Sequence, residues 1–187
     1  MALRKEPSKS EIKNWLAFYN MVPNLFWSIL NLVPVSVYCF NHVEQKNLYL
    51  FLAVSLFPLL VKRSFLDKIQ ISKSAANYQK LGVPVVNRFA QNGAIINNLM
   101  KRKFPGYRSV TSRKSSIAAL INQTYVFEKF HWILFIFFFL IIIYAILNRQ
   151  VVWACVIFVN NTLYNFYPNL LQQYIRLKLR LSLQKNQ

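Results

Sequence analysis

Glycine, histidine and cysteine are all scarce in this sequence, which has three, two and two of them among 187 residues. There is no Gly-rich phosphate loop and no Gly-x-Ser-x-Gly nucleophile elbow. Two histidines are too few for a zinc motif. Cys39 and Cys155 both lie in apolar segments, which predicts buried thiols rather than a disulfide or a metal pair. The sequence therefore predicts neither a metal nor a cofactor.

Acidic residues are also few: there are 5 Asp plus Glu against 23 Lys plus Arg, and the formal net charge is +18. Such a balance is typical of a protein that lies beside nucleic acid or anionic lipid. The composition is 55% hydrophobic, and the apolar residues occur in blocks, which a nucleic-acid-binding module would not carry. We therefore predict an all-α integral membrane protein with membrane lipid, and no nucleic acid, as its neighbour.

Four apolar segments predict about four transmembrane helices, arranged as two hairpins. The second segment, residues 48–61, is short for a span and contains Pro58, so it either crosses as a thin span or forms half of a re-entrant hairpin. A single membrane domain, 1–187, is predicted. Its parts are a basic lead-in (1–15), a first membrane hairpin (16–61), a basic interfacial segment (62–129), a second membrane hairpin (130–167) and a basic amphipathic tail (168–187).

The basic residues predict the orientation. The lead-in, the interfacial segment and the tail together hold 21 of the 23 Lys and Arg residues, whereas the two short turns hold only Lys46 and Arg149. The positive-inside rule then places both termini and the interfacial segment in the cytoplasm. Within that segment the apolar spacing predicts amphipathic helices over Phe65–Leu81, Ala94–Phe104 and Ser112–Trp132, which are suited to an anionic leaflet.

The strongest candidate site lies where the interfacial segment enters the third span. Glu128 and His131 are three residues apart, so a helix places them on one face about one turn apart. A carboxylate and an imidazole at this depth need a partner or a wet cavity. His131 is the natural general base, and Glu128 is suited to orient it. The alternative is an interfacial anchor at His131 and Trp132, with Glu128 paired to Lys129 or Arg176.

Other polar residues are predicted to converge on the same cytoplasmic face, because an antiparallel hairpin returns to the leaflet that it left. Together they are suited to a lipid-like acceptor in the bilayer and an anionic donor from the cytoplasm, with Arg176 gripping a phosphate. The candidate substrate-binding residues are Asn92, Asn165, Gln172, Tyr174 and Arg176.

The order and spacing of these residues resemble the small bacterial membrane acyltransferases of the glycosyl-4,4'-diaponeurosporenoate type, over about residues 77–182. The resemblance implies transfer of a fatty acyl group from acyl-CoA or another activated donor to a hydroxyl of a glycosyl-carotenoid-type lipid, in the bacterial cytoplasmic (inner) membrane. It is carried by Gly82, Asn92-Gly93, Thr124-x3-Glu128-x2-His131-Trp132 and Asn165-x6-Gln172-x-Tyr174-x-Arg176-x-Lys178-Leu179.

The sequence departs from that pattern at four positions. Asn92 stands where the resemblance implies an aspartate, and Gln173, Ile175 and Lys178 stand for an arginine, an asparagine and an arginine. If the aspartate is catalytic or orienting, its loss implies an altered substrate or an inactive copy. The alternative function is a non-catalytic accessory or structural subunit of a larger membrane complex that holds a pigment or lipid.

Overall fold

A computed structural model describes residues 7–108 and 114–185, and within those ranges the chain is helical with no β-strand. Short 3₁₀ and π turns join some of the helices, at Phe57–Leu60 and Thr162–Phe166. The α-helices of the described ranges are α1 (Lys9–His42), α2 (Gln45–Ser55), α3 (Arg63–Lys68), α4 (Ala75–Lys80), α5 (Val83–Phe89), α6 (Ala94–Lys103), α7 (Lys114–Leu147), α8 (Val151–Asn161) and α9 (Tyr167–Lys185).

Two helical stretches are long and apolar enough to cross a membrane: Lys9–His42 and Ser115–Leu147. They contain the predicted first and third spans. In each, only 22% of the most apolar 18-residue window is buried inside the molecule, so most of these apolar side chains are at least partly exposed. Outward apolar faces of this extent are suited to lipid rather than to water. Gln45–Leu60, in the region of the predicted second span, is a shorter apolar run.

The helical path from Val151 to Lys185 is unbroken, although the sequence predicts a span that ends near Tyr167 and a separate tail. Pro168 lies inside this path, where it lacks an N–H and its ring crowds the carbonyl of the preceding turn. The π turn just before it, in which Tyr167 N–H bonds to the Thr162 carbonyl, widens the helix at that point. The helix therefore continues past the proline instead of ending there.

The three amphipathic helices predicted in the interfacial segment have different outcomes. A helix is present over the predicted range Ala94–Phe104, as α6, whereas the single helix predicted over Phe65–Leu81 is wrong, because α3 and α4 are separated by residues 69–74. In this turn the Ile71 N–H donates to Gln173 Oε1 and the Ser72 N–H donates to the Tyr78 hydroxyl. These tertiary bonds replace the helical ones. The predicted start of the third helix, at Ser112, lies outside the described residues.

Helix α7 forms the centre of the molecule and packs along α2, α8 and α9. Two apolar clusters stabilise the hairpins and the interfacial segment. The first joins α1, α7 and α8 through Val35, Tyr38, Cys39, Phe138, Ile141, Ile142, Ala145, Ala154 and Ile157. The second joins α4 and α5 to α9 through Tyr78, Val83, Leu170, Leu171 and Tyr174.

The two cysteines are both free thiols, in agreement with the absence of a predicted disulfide. Cys39 is buried, as predicted, but Cys155 is exposed, so the prediction of two buried thiols is wrong for Cys155. Cys155 lies on the exposed face of α8, beside the exposed Val156. Membership of an apolar segment does not determine which face of the helix a residue occupies, so it did not predict this exposure.

Candidate active site

The contact between α7 and α9 contains three buried polar side chains, Glu128, Gln173 and Arg176, which we call the polar seam. Its centre is Glu128, which is 0% exposed. Arg176 Nη1 donates to Glu128 Oε2 at 2.6 Å, and Gln173 Nε2 donates to Oε1 at 2.8 Å. Both oxygens of the carboxylate are therefore paired, as a buried charge requires.

The outer end of the seam holds a second carboxylate, Asp67 on α3. It accepts hydrogen bonds from the Tyr125 hydroxyl at 2.8 Å and from Arg180 Nη2 at 3.0–3.1 Å. Partial burial raises the pKa of Asp67, but the hydrogen bonds from Arg180 and Tyr125 and the nearby charge of Arg176 outweigh it. The pKa of this carboxyl therefore lies below its usual value, and Asp67 is an anion at neutral pH.

Arg176 lies between the two carboxylates and is itself 0% exposed. Its Nε atom lies 3.5 Å from Asp67 Oδ1, which is close enough for charge attraction, although the geometry makes no hydrogen bond there. Its guanidinium carbon lies 4.2 Å from the centre of the Tyr125 ring. Arg176 therefore balances two anions inside the protein and is not presented to a phosphate at the surface.

Glu128 pairs with Arg176 and Gln173, and no hydrogen bond joins it to His131 in the described structure. Of the two arrangements that the sequence leaves open, the pairing with Arg176 is the one observed. The physical reason is that a neighbouring cation stabilises a buried carboxylate more than a neutral imidazole does. Glu128 thus fixes the register of α7 against α9 rather than orienting His131 directly.

His131 lies on the side of α7 that faces the π turn. Its ring meets the Tyr164 ring edge-on at 6.0 Å between centroids, and the polar groups beside it are the Asn165 side chain and the Tyr164 backbone. The His131 Nδ1 and Asn165 Oδ1 atoms are both buried without a hydrogen-bond partner in the protein. The Asn165 amide is held from behind, because its Nδ2 donates to Asn161 Oδ1 at 2.9 Å. His131 is thus a partly buried imidazole with an uncommitted nitrogen.

Gln173 also lines a cavity of about 340 Å³, which we call the apolar cavity. This size lies at the lower end of the range of about 300–1,000 Å³ that small-molecule sites occupy. None of the described residues that line it is charged. They are Phe57, Pro58, Val61, Phe65, Leu66, Ile69, Ile71, Trp132, Ile136, Phe166, Asn169, Leu170 and Gln173.

Asn92 lies apart from the seam, on an open groove of about 750 Å³ between α1 and the α5–α6 turn. Its side-chain oxygen accepts from Asn20 Nδ2 and its backbone N–H donates to Asn20 Oδ1, both at 2.8 Å. Its φ of 55° is left-handed, a conformation that asparagine tolerates better than most residues. These contacts give Asn92 a structural role in holding α1 against the turn.

The two remaining candidates also lie outside the cavity lining. Tyr174 is buried in the cluster with Leu170 and Leu171, and its ring centroid lies 6.0 Å from that of Tyr78. Gln172 is half-buried. Of the candidate residues, the structure therefore brings Glu128 and Arg176 together, sets His131 beside Asn165, and leaves Asn92, Gln172 and Tyr174 elsewhere.

The sequence reasoning missed Asp67, Tyr125, Asn161, Asn169 and Gln173 as members of the seam or its cavity. One signal for the last three was present. Amide side chains recur at every fourth position through 161, 165, 169 and 173, the spacing that puts them on one face of a helix.

Within the described ranges there is no group of three His, Cys, Asp or Glu residues that could hold a metal ion.

Comparison with known proteins gives one family. Neither the curated proteins nor the solved structures include a match to this chain. A family model described as glycosyl-4,4'-diaponeurosporenoate acyltransferase matches residues 62–185, which span the seam, His131 and all of the apolar cavity except Phe57, Pro58 and Val61. The match covers well over half of the sequence and agrees with the resemblance seen in its motifs. The chain therefore belongs to the glycosyl-4,4'-diaponeurosporenoate acyltransferase family.

Proposed function

We propose that this protein transfers a fatty acyl group from an activated donor, such as acyl-CoA, to a hydroxyl of a glycosyl-carotenoid-type lipid at the cytoplasmic interface of the membrane. The observation that carries the proposal is the site within the family match: a partly buried histidine, whose Nδ1 has no hydrogen-bond partner in the protein, is next in the chain to Trp132, which lines an apolar cavity. A lipid acyl transfer needs both elements, a base for the hydroxyl and a dry space for the chain.

His131 is the proposed general base. It accepts the proton of the acceptor hydroxyl while that oxygen attacks the carbonyl carbon of the thioester. A new C–O bond forms, the C–S bond breaks, and the departing thiolate takes the proton from His131. The imidazole then returns to its neutral form, and the products are an ester and a free thiol.

Glu128 and Arg176 serve this reaction as positioning residues. Their ion pair is fully buried, and Gln173 completes it, so α7 and α9 are fixed in one register. That register sets His131 against Asn165 at the neighbouring turn. Replacing either charge would leave the other buried without a partner, so the position of His131 depends on both.

The membrane placement is part of the same proposal. We expect four spans, in which the unbroken helical path from Val151 and the shorter run Gln45–Leu60 cross beside the two long helices. Both termini and the basic segment then lie on the cytoplasmic side of a bacterial inner membrane. The polar seam opens toward that side, where the acyl donor is dissolved.

The test of the proposal is mass spectrometry of membrane lipids and pigments from cells with the wild-type protein, with His131→Ala, and with no protein. The wild type should add a product heavier by one fatty acyl group. His131→Ala should reduce that product by about 10²–10⁴-fold, the usual effect of a lost general base. His42→Ala is the matched control, because His42 bonds to Gln150 beside the turn at the other end of the hairpin. Identical lipids in all strains would refute acyl transfer.

A second candidate, a non-catalytic subunit of a larger membrane complex, is favoured by Asn92. The position where the resemblance implies an aspartate is used for packing against Asn20. This candidate expects co-purification with a partner protein. It also expects tolerance of His131→Ala but not of bulky or charged substitutions at Asn24, Asn31 or Asn161, so the two candidates are separated by the same set of strains.

A further inference from the structure

The apolar cavity contains buried polar groups that no protein atom satisfies. Asn169 is 2% exposed, and neither its Nδ2 nor its Oδ1 has a hydrogen-bond partner in the protein. The Nε1 atom of Trp132 is also buried without a partner, and both residues line the cavity. An unsatisfied buried donor costs about 1–3 kcal/mol, so two at one cavity wall indicate a ligand-binding function.

The register of the seam explains why these two residues meet. Glu128 bonds to Gln173 across antiparallel helices. One turn further along α7 is Trp132, and one turn earlier on α9 is Asn169, so the same register places them at one level. The third polar residue of the lining, Gln173, is already engaged with Glu128, Tyr78 and the Ile71 N–H.

The chemistry of the wall defines the ligand. A tryptophan N–H only donates, so the ligand must present an acceptor atom there. The described lining holds no charged side chain. Of the cations on the neighbouring turns of α7 and α9, Arg176 is paired with Glu128 and Lys129 donates to the Leu59 carbonyl. A carboxylate or phosphate would therefore be buried without a counter-charge, whereas a neutral ester or thioester carbonyl needs no counter-charge. The remaining walls are aliphatic and aromatic, as an acyl chain requires.

We infer that the apolar cavity binds the acyl chain of the donor, and that Asn169 Nδ2 and Trp132 Nε1 donate hydrogen bonds to its carbonyl oxygen. The identification of the ligand as an acyl donor rests on the proposed function; the ligand's neutral carbonyl and apolar chain follow from the cavity. The same two donors would face that oxygen as negative charge develops on it during attack.

The test uses the full-length chain in lipid nanodiscs that contain no acceptor lipid, with palmitoyl-CoA labelled with ¹³C at its carbonyl as the probe. Isotope-edited infrared spectra report hydrogen bonding to this carbonyl directly, which an effect on stability alone would not imitate. The wild type should shift the carbonyl band to lower wavenumber. Asn169→Leu and Trp132→Phe should each reverse part of the shift and weaken binding about tenfold, the usual effect of one lost hydrogen bond at a buried partner.

Asn160→Leu is the matched control, because Asn160 Nδ2 is also buried without a partner but does not line the cavity. It should leave the band and the affinity unchanged. Trp132→Phe keeps the ring in place, so the test survives if Asn169→Leu fails to accumulate. Free palmitate should bind at least tenfold more weakly than the thioester, because its carboxylate lacks a counter-charge.

Two results would overturn the inference: a carbonyl band in Asn169→Leu and Trp132→Phe equal to that of the wild type, or palmitate binding as tightly as the thioester. Either is compatible with acyl transfer in cells, which the lipid mass spectrometry measures separately. Conversely, the band could respond to both substitutions in a protein that forms no acyl product. That result would support carbonyl binding in the cavity and refute the proposed acyl transfer.

Discussion

Arg176 is a fully buried cation whose environment is determined by two carboxylates, one on α7 and one on α3. Desolvation of such a group is costly, and the cost is offset only while the partners are in place. The pair of Arg176 with Glu128 is therefore weak evidence for high stability, but strong evidence that the two helices have one permitted register. At the scale of single residues, this interaction specifies where His131 lies.

Replacing one partner of this ion pair should lower the free energy of unfolding more than replacing both. Glu128→Leu leaves Arg176 buried without its closest anion and should lower the free energy of unfolding by about 3–5 kcal/mol. The double variant Glu128→Leu with Arg176→Met replaces the pair by apolar side chains and should recover most of that loss. Denaturation of the purified proteins in detergent micelles measures both changes.

Equal losses for the single and the double variant would contradict this account of the seam. Lys129→Met is a suitable control, because Lys129 is a cation of the same helix whose Nζ only bonds to the Leu59 carbonyl. Its loss should stay within about 1 kcal/mol, as for most side chains on the periphery of a fold.

The sequence was sufficient to place Glu128 and His131 on one helical face, but not to choose their partners. Helical spacing relates residues of one helix, whereas the partner of Glu128 is 48 positions away on α9. A pattern along the helical path from Val151 to Lys185 was readable, since its amides recur every fourth residue from Asn161 to Gln173. Which residues these amides face depends on the register of the two helices, and local spacing does not predict that register.

At the scale of elements, the long apolar helices and α6 could be predicted because their signals are local: length, apolar content and spacing. The break between α3 and α4 could not. The Gln173 side chain, which comes from α9, and the Tyr78 hydroxyl hold residues 71–72 out of the helix, and local spacing does not predict the contact with Gln173. The π turn before Pro168 was missed for a related reason, because a proline alone predicts an end to the helix.

The turn between α5 and α6 gives a prediction at this scale. Its Gly93 has no room for a side chain, because a Cβ there would lie 1.9 Å from the Asn87 carbonyl oxygen. Gly93→Ala must shift the turn and disturb the paired bonds of Asn92 with Asn20. We expect a loss of about 1–3 kcal/mol, typical of a forced steric overlap, in thermal unfolding in detergent.

Gly106→Ala is the matched control for this turn, since a Cβ at Gly106 meets nothing within 4 Å and its φ is not left-handed. Its stability should stay within about 0.5 kcal/mol of the wild type. A Gly93→Ala protein as stable as Gly106→Ala would show that the α5–α6 turn is free to move away from Asn87.

At the scale of the whole molecule, the two short turns lie together at one end. The Tyr38 hydroxyl and His42 on α1 both bond to Gln150 in the turn between α7 and α8. The ion pairs of Asp67, Glu128, Arg176 and Arg180 lie away from this end, with Glu128 near the middle of α7. These ion pairs are thus separated along the hairpins from the end that holds the short turns.

This separation predicts the sidedness of each end. In a variant with Cys39→Ala and Cys155→Ala, Lys46→Cys and Asn148→Cys should react with a membrane-impermeant maleimide in intact cells, because the positive-inside rule predicts that both turns lie outside the cytoplasm. Arg102→Cys, in the basic segment, should react only after the membrane is permeabilised. Labelling of Arg102→Cys in intact cells, with protection of the turns, would invert the topology. It would also move the seam and its cavity to the side that cytoplasmic acyl-CoA does not reach, so this labelling pattern bears directly on the choice of donor.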